Sequence, residues 1–238
     1  MFSAFEPSAL DERTNETIDH IVFSVRTSAA MHAAFRSPGQ FVKMRVRDEA
    51  GASHEGIFAI ASAPGEKRIA FLARTNNPSG GEAADRIARM PLHTPLEVTL
   101  PAGDGFALER VRHRDLALVA VGTALAPVRS VLEHILRERE LYGALSLDYG
   151  LRSLAHLPFA RDVERWRSLG VRVDLHVLEV RVDGTYEGSR AQDAFFARLG
   201  PRAGASVVIA VGPDALLRDV RDRYSALGGD PRDVLHNY

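Results

Sequence analysis

Three glycine turns in the second half of this 238-residue chain have the form of phosphate-binding loops. They are "VGTALAP" (121–127), "YGLRS" (149–153) and "VGPDA" (211–215). Each follows an apolar run and opens a new segment. The first backbone N–H groups of a helix have no partner inside it, so a helix start beyond a strand end favours an anion. Gly122 permits a tight turn, Thr123 adds a hydroxyl, and Pro127 suits the first turn of a helix. Ala124 adds a methyl at the same turn. Arg152 and Arg181 stand where they can reach a phosphate. A fourth turn, "PSGGEAADRI" (78–87), offers Gly80, Gly81 and a helix start for the same purpose. There Ser79 and Glu82 have capping-box spacing, which uses the same donors, and Glu82 and Asp85 bring negative charge to the first turn. Other chemistries lack their residues. The nine histidines show no metal-binding spacing, and Ser62 and Asp148 have no histidine partner in a nucleophile arrangement.

The elements that carry these turns fall into two halves. Residues 1 to about 110 alternate at period two in "HIVFSVRT", "GQFVKMRVR", "GIFAIAS", "RIAFLART" and "PLEVTLPAG", interrupted by one helical run at 81–90. This pattern predicts a small antiparallel barrel. From about residue 111, apolar strands alternate with helical spacing to the end, the pattern of a doubly wound parallel sheet. The segment 108–114, "LERVRHR", is the expected linker. In such a sheet ligands sit beyond the carboxyl ends of the strands, so the three turns are expected to line one edge. Trp166, on a helix, reads as packing.

Composition narrows the classes. An apolar content of 45% allows a true core, and a net charge of −1 gives no footing for non-specific nucleic-acid binding. With no cysteine there is no disulfide, thiolate zinc site, catalytic thiol or cysteine-bound iron–sulfur cluster within the chain. The first twenty residues lack the basic and apolar regions of a signal peptide, and no apolar run approaches the roughly 18 residues of a membrane span. The expectation is a soluble, cytoplasmic protein.

A barrel followed by a nucleotide-type sheet opened by "GTALAPVRS" resembles the ferredoxin–NADP reductase superfamily, most of all its flavin reductases and the flavin subunits of electron-transfer complexes. The likeness runs from about residue 14 to 238. "FAIASAP" (58–64) resembles the end of the flavin motif, "PAGDGF" (101–106) the segment closing the barrel, "DYGLRS" and "VGPDALLRDVRDRY" the later nucleotide segments. The resemblance implies FAD (or FMN) and NADH or NADPH, with hydride passing between nicotinamide and flavin. It implies flavin contacts at Phe58, Ala59, Ile60, Ala61 and Ser62. Phe58 would stack on the ring, and the main-chain amides of 60–62 would serve as donors. The family's arginine falls at Gly56, a loss of about 1.5–3 kcal/mol that Arg74 is placed to offset. Gly80 and Gly81 correspond to the pyrophosphate turn. Gly122, Thr123, Ala124, Pro127, Arg152, Gly212 and Pro213 correspond to the nicotinamide-nucleotide site, with Val211 in place of the family's cysteine. Tyr238 corresponds to a terminal aromatic lid. Electrons would leave to a soluble acceptor, a free flavin or a partner subunit. The altered residues at 56, 58, 59 and 124 also suit a rival reading, a non-catalytic scaffold that has lost these ligands and binds a partner.

Overall fold

The computed structural model describes residues 2–76, 81–180, 186–199 and 206–236. The first half is a six-stranded antiparallel sheet in the order β4-β3-β6-β1-β2-β5. Its strands are β1 (Glu6–Asn15), β2 (His20–Val25), β3 (Phe41–Arg47), β4 (Ser53–Ala59), β5 (Ala70–Arg74) and β6 (Pro95–Val98). A bridge between Ile60 and Phe71 brings the two edges together and closes the barrel. Alternation drives the closure: Val42, Met44 and Val46 of β3 are buried, while Lys43, Arg45 and Arg47 between and beyond them are not. Helix α2 (Glu82–Arg89) lays Ala83 and Ile87 on this core.

Two elements of this half have no counterpart in the sequence reading. Strand β1 contains a proline, three charged residues in a row and only two buried side chains, Ala9 and Leu10. It is a strand because β6 and β2 pair with it on either side, not because its own residues alternate. Helix α1 (Ala29–Ala34) is too short for a periodic signal; Ser28 caps it by accepting from the Met31 amide at 3.1 Å.

The second half is a six-stranded sheet in the order β10-β9-β8-β7-β11-β12. Its strands are β7 (Asp115–Val121), β8 (Leu145–Leu151), β9 (Val171–Val180), β10 (Tyr186–Gly188), β11 (Ser206–Val211) and β12 (Val234–Leu235). All pairings are parallel except that of β10 with β9. Helices α3 (Leu125–Ile135) and α4 (Ala160–Ser168) pack on one face, α5 (Ala191–Leu199) and α6 (Asp214–Ala226) on the other. Trp166 is fully buried beneath α4 and donates to Glu133 at 2.9 Å. Strand order reverses at β7, whose neighbours β8 and β11 come after it in the chain. That reversal is where open α/β sheets bind ligands.

The halves are fastened together. Leu108 and Val111, within the expected linker, are buried in the sheet-side core, and Arg114 makes a bidentate pair with Asp233 at 2.9 and 2.6 Å. Three side chains of α3 and the turn after it reach carbonyls of the barrel segment 61–64. Arg129 donates to Ala61 at 2.9 Å, Ser130 to Ser62 at 2.5 Å and Arg137 to Pro64 at 2.6 Å. Among the described residues no helix is long and apolar enough to cross a membrane.

Candidate nucleotide cleft

The carboxyl edge of the parallel sheet and one wall of the barrel enclose a cleft of about 700 Å³. Val121 ends β7 and Gly122 follows it, Gly150 lies at the end of β8 and Arg152 just after it, and Pro213 follows β11. The three glycine turns therefore share one edge, as the alternation of strands and helices predicts. Gly122 has φ +56 and nothing within 4 Å of where a Cβ would stand, so its backbone is open to a ligand. Its carbonyl is drawn back by the Tyr149 hydroxyl, which donates to it at 2.9 Å. Burial pushes that phenol well above its ordinary range, so it remains a donor. Gly150 has no room for a side chain: a Cβ there would lie 2.9 Å from a Val121 methyl.

Other members of the expected nucleotide set take different positions. Thr123 is exposed at the turn. Ala124 packs against the sheet-side core, so its methyl turns inward instead of obstructing the cleft. Pro127 is buried in the first turn of α3, where its missing N–H costs no helical hydrogen bond. Arg152 is exposed at the cleft, and Arg190, at the start of α5, joins it. No glycine turn of the expected form precedes Arg190, so no motif singled it out. Gly212 follows β11 with its Cα hydrogen facing Val121, where a Cβ would come within 3.0 Å of a methyl. Arg181, Ser79, Gly80 and Tyr238 lie outside the described residues.

The flavin motif needs correction. Phe58 does not present its ring to the cleft. It is buried in the barrel core, edge-on to Phe23 at 5.5 Å. The reason lies two residues earlier: a Cβ on Gly56 would stand 2.9 Å from the Phe58 ring and 3.2 Å from Ala83. The missing arginine and the inward phenylalanine are one linked change. Two of the three amides expected as ligand donors are also spent, Ile60 on the Gln40 carbonyl at 3.1 Å and Ala61 on the Ala70 carbonyl at 2.8 Å. The Ser62 hydroxyl accepts from the Ala70 amide, and Ala59 packs toward the sheet-side core. Gly81 is the N-cap of α2, without a side-chain cap. The first turn of α2 is already supplied with negative charge. Glu82 lies 2.6 Å from His54, and Asp85 accepts from the Asn76 amide at 2.7 Å.

Arg74 does reach the cleft wall, within a polar group that no motif announced. Its Nε donates to Asp19 at 2.9 Å. Asp19 also lies 2.8 Å from His20 Nδ1 and 3.8 Å from His156 Nε2. Burial opposes the charge on Asp19, but the neighbouring His20, Arg74 and His156 outweigh it and hold the carboxyl below its usual range. On the far side of the sheet, Asp148 does have a histidine partner, His176 at 3.0 Å. No serine completes a nucleophile set there: Ser62 sits in the barrel, and Asp148 is paired with Arg198.

Residues 118–222 match the family described as oxidoreductase NAD-binding domain. The chain is 24% identical over 199 residues to the gamma subunit of sulfhydrogenase 1 of Pyrococcus furiosus, covering 83% of this chain and 66% of that one. It spans between 30% and 66% of the length of the curated relatives it matches. Among solved structures, the flavohem-like FAD/NAD binding domain of nitric oxide dioxygenase from Vibrio cholerae superposes with a TM-score of 0.80 at 16% identity, covering 96% of both chains. A ferredoxin NADP+ reductase from Neisseria gonorrhoeae superposes at 0.76 and 16% identity over 95% of this chain and 92% of the other. A closed antiparallel barrel, a reversed-order parallel sheet with its cleft at the switch strand, and these superpositions give this chain the fold of the ferredoxin–NADP reductases, with an oxidoreductase NAD-binding segment at 118–222.

Proposed function

We propose that this chain is an NAD(P)H-linked flavin oxidoreductase or electron-transfer module. Residues 1–110 form its flavin-type barrel and residues 111–238 its nicotinamide-nucleotide domain. The observation that carries this reading is the cleft itself. Its volume of about 700 Å³ suits a nucleotide, glycine backbone lies open at Gly122, and Arg152 and Arg190 supply positive charge at its sheet side. A bound nicotinamide and flavin supply the hydride chemistry between them. The chain's part is to bind and orient. The Gly122 turn and Arg152 meet phosphate, and Pro213 shapes the third turn. Asp19, His20 and Arg74 line the barrel side, and flavin, FAD or FMN, is held from that wall instead of by residues 58–62. The diphosphate arm finds no free guanidinium at position 56 and meets carboxylates at α2, which supports weak retention of the dinucleotide form. Dependence on NAD(P)H supports a cytoplasmic setting. Relatives named for hydrogenase and dioxygenase systems support an electron acceptor that is a separate protein or a diffusible molecule.

The test is optical. Purified protein incubated with FAD, with FMN, or with neither is desalted and scanned near 450 nm, then given NADH or NADPH. Retained or rapidly bleached flavin supports the assignment. Protein that neither retains flavin nor speeds its reduction, and that does not bind NADH, returns the scaffold reading. On the nucleotide side, Arg152→Glu is expected to weaken NADH binding about tenfold, one exposed cation replaced by an anion near phosphate. An affinity unchanged by that reversal takes Arg152 out of the site.

A further inference from the structure

The first turn of α5 forms part of the cleft wall, where Ser189, Arg190, Ala191 and Gln192 stand beside Gly150. The Arg190 carbonyl accepts the first helical bonds, from the Asp193 amide at 3.1 Å and the Ala194 amide at 3.2 Å. Arg190 is therefore the cap residue, and its side chain has no oxygen to offer a neighbouring amide. The amides of Ala191 and Gln192 have no acceptor among the described residues. Asp193, the acidic residue of this turn, pairs with Arg223 of α6 at 2.6 Å and accepts from no described amide. A second feature is independent of the helix end. Gln192 is 9% exposed, yet its side-chain amide makes no hydrogen bond among the described residues. That amide is not sealed from solvent. The buried side-chain atoms that lack a partner are His20 Nε2, Ser24 Oγ, Arg86 Nε and Arg198 Nε, and neither amide atom of Gln192 is among them. The carboxamide therefore opens on the cleft that Gln192 lines. Its NH2 group adds donors to those of the main chain. Arg190 and Arg152, both exposed at the cleft, add positive charge. The carboxylates at this end, Asp193 and Asp219, share Arg223, which lies 3.3 Å from Asp219. Three guanidinium groups against two carboxylates leave this end of the cleft positive.

We propose that the start of α5 is a second phosphate subsite of the cleft, in which the Gln192 carboxamide and the free N–H groups of Ala191 and Gln192 donate to phosphate oxygens and Arg190 supplies the countercharge. The inference rests on the nucleotide-cleft reading above and adds a phosphate position to the one on the Gly122 turn. Unpaired helix-end amides favour an anion, and the carboxamide fixes where its oxygens lie. A nucleotide has two sources for such a group: the second phosphate of a 5′-diphosphate and a monoester on the ribose.

NADH and NADPH are titrated by fluorescence into wild type, Gln192→Leu, Gln192→Glu and Arg190→Gln, and 5′-ADP, adenosine 2′,5′-bisphosphate and adenosine are measured by displacement. Ligands that fill the subsite are expected to weaken about 10-fold in Gln192→Leu, more in Gln192→Glu, and about 3-fold in the exposed Arg190→Gln, the scale of one charge-assisted hydrogen bond and one solvated ion pair. Adenosine, which has no phosphate, keeps its affinity. A loss confined to NADPH and the bisphosphate identifies the monoester, and a loss shared by NADH and 5′-ADP identifies the diphosphate; either supports the subsite. A loss of the same size for adenosine overturns it. So do variants that fold, by circular dichroism, and bind every ligand within twofold of wild type, which leaves the cleft assignment standing. Arg190 is exposed, so its variant decides the matter if a Gln192 variant does not fold. Wild type that binds neither dinucleotide overturns both readings.

Discussion

Asp148→Ala is expected to lower folding stability by about 3–5 kcal/mol, the usual cost of breaking a buried ion pair from one side. Asp148 is 1% exposed in the middle of β8. One carboxylate oxygen meets His176 on β9 at 3.0 Å and the other meets Arg198 on α5. Arg198 is three-quarters buried, with its guanidinium 5.7 Å from the Phe195 ring and its Nε without a hydrogen-bond partner. Asp174 is a distant substitute at 3.9 Å. Removing the carboxylate therefore strands a cation between helix and sheet. Urea unfolding should give a lower midpoint at unchanged slope, with Tm falling by about 6–20 °C for a chain of this size. Replacing both partners, Asp148→Leu with Arg198→Met, should recover much of the loss, because the cost lies in the unpaired charge and not in the missing bond. A single-variant loss under about 1 kcal/mol would mean that water already reaches these groups.

Arg129→Ala carries a comparable penalty, about 3 kcal/mol, but localises it at the seam between barrel and sheet. The Arg129 side chain is 18% exposed and does three things. It pairs with Asp162 of α4 at 2.7 Å, donates to the Ala61 carbonyl, and lies 5.2 Å from the Phe159 ring. Burial works against its charge, but Asp162, Glu133 and Glu66 outweigh that and raise its pKa. Hydrogen exchange should quicken at residues 60–63 and 159–163 while the barrel strands β1–β3 stay protected. Arg137→Ala is the control. It also reaches a barrel carbonyl, but from a side chain 45% exposed, and should cost well under about 1 kcal/mol. Equal losses from the two variants would show that the seam is held by something other than Arg129.

The architecture was legible in the sequence because both halves rely on periodic burial. The runs of β7, β8, β9 and β11, each followed by helical spacing, located the parallel sheet and the edge that bears Gly122, Gly150 and Pro213. The flavin motif misled for a physical reason. Alignment preserves the order of residues, but which side Phe58 faces depends on the space beside it, and that space exists because position 56 is glycine. The donors at 60 and 61 were likewise claimed by Gln40 and Ala70, partners that only a closed barrel brings near. The polar wall left no local pattern, since Asp19, Arg74 and His156 come from three distant parts of the chain. The "RS" of "GTALAPVRS" was visible throughout, yet Arg129 and Ser130 serve as fasteners to the barrel, a role that a nucleotide motif does not suggest.

Phe159 enters α4 in a left-handed conformation, φ 55, that a bulky residue adopts only under constraint, and Glu16 supplies the constraint by accepting its amide at 2.8 Å. The two residues are 143 positions apart. During synthesis from the N-terminus, the carboxylate leaves the ribosome long before the amide that needs it. The corner thus depends on a contact between the two halves, and α4 takes its final entry only when barrel and sheet have met.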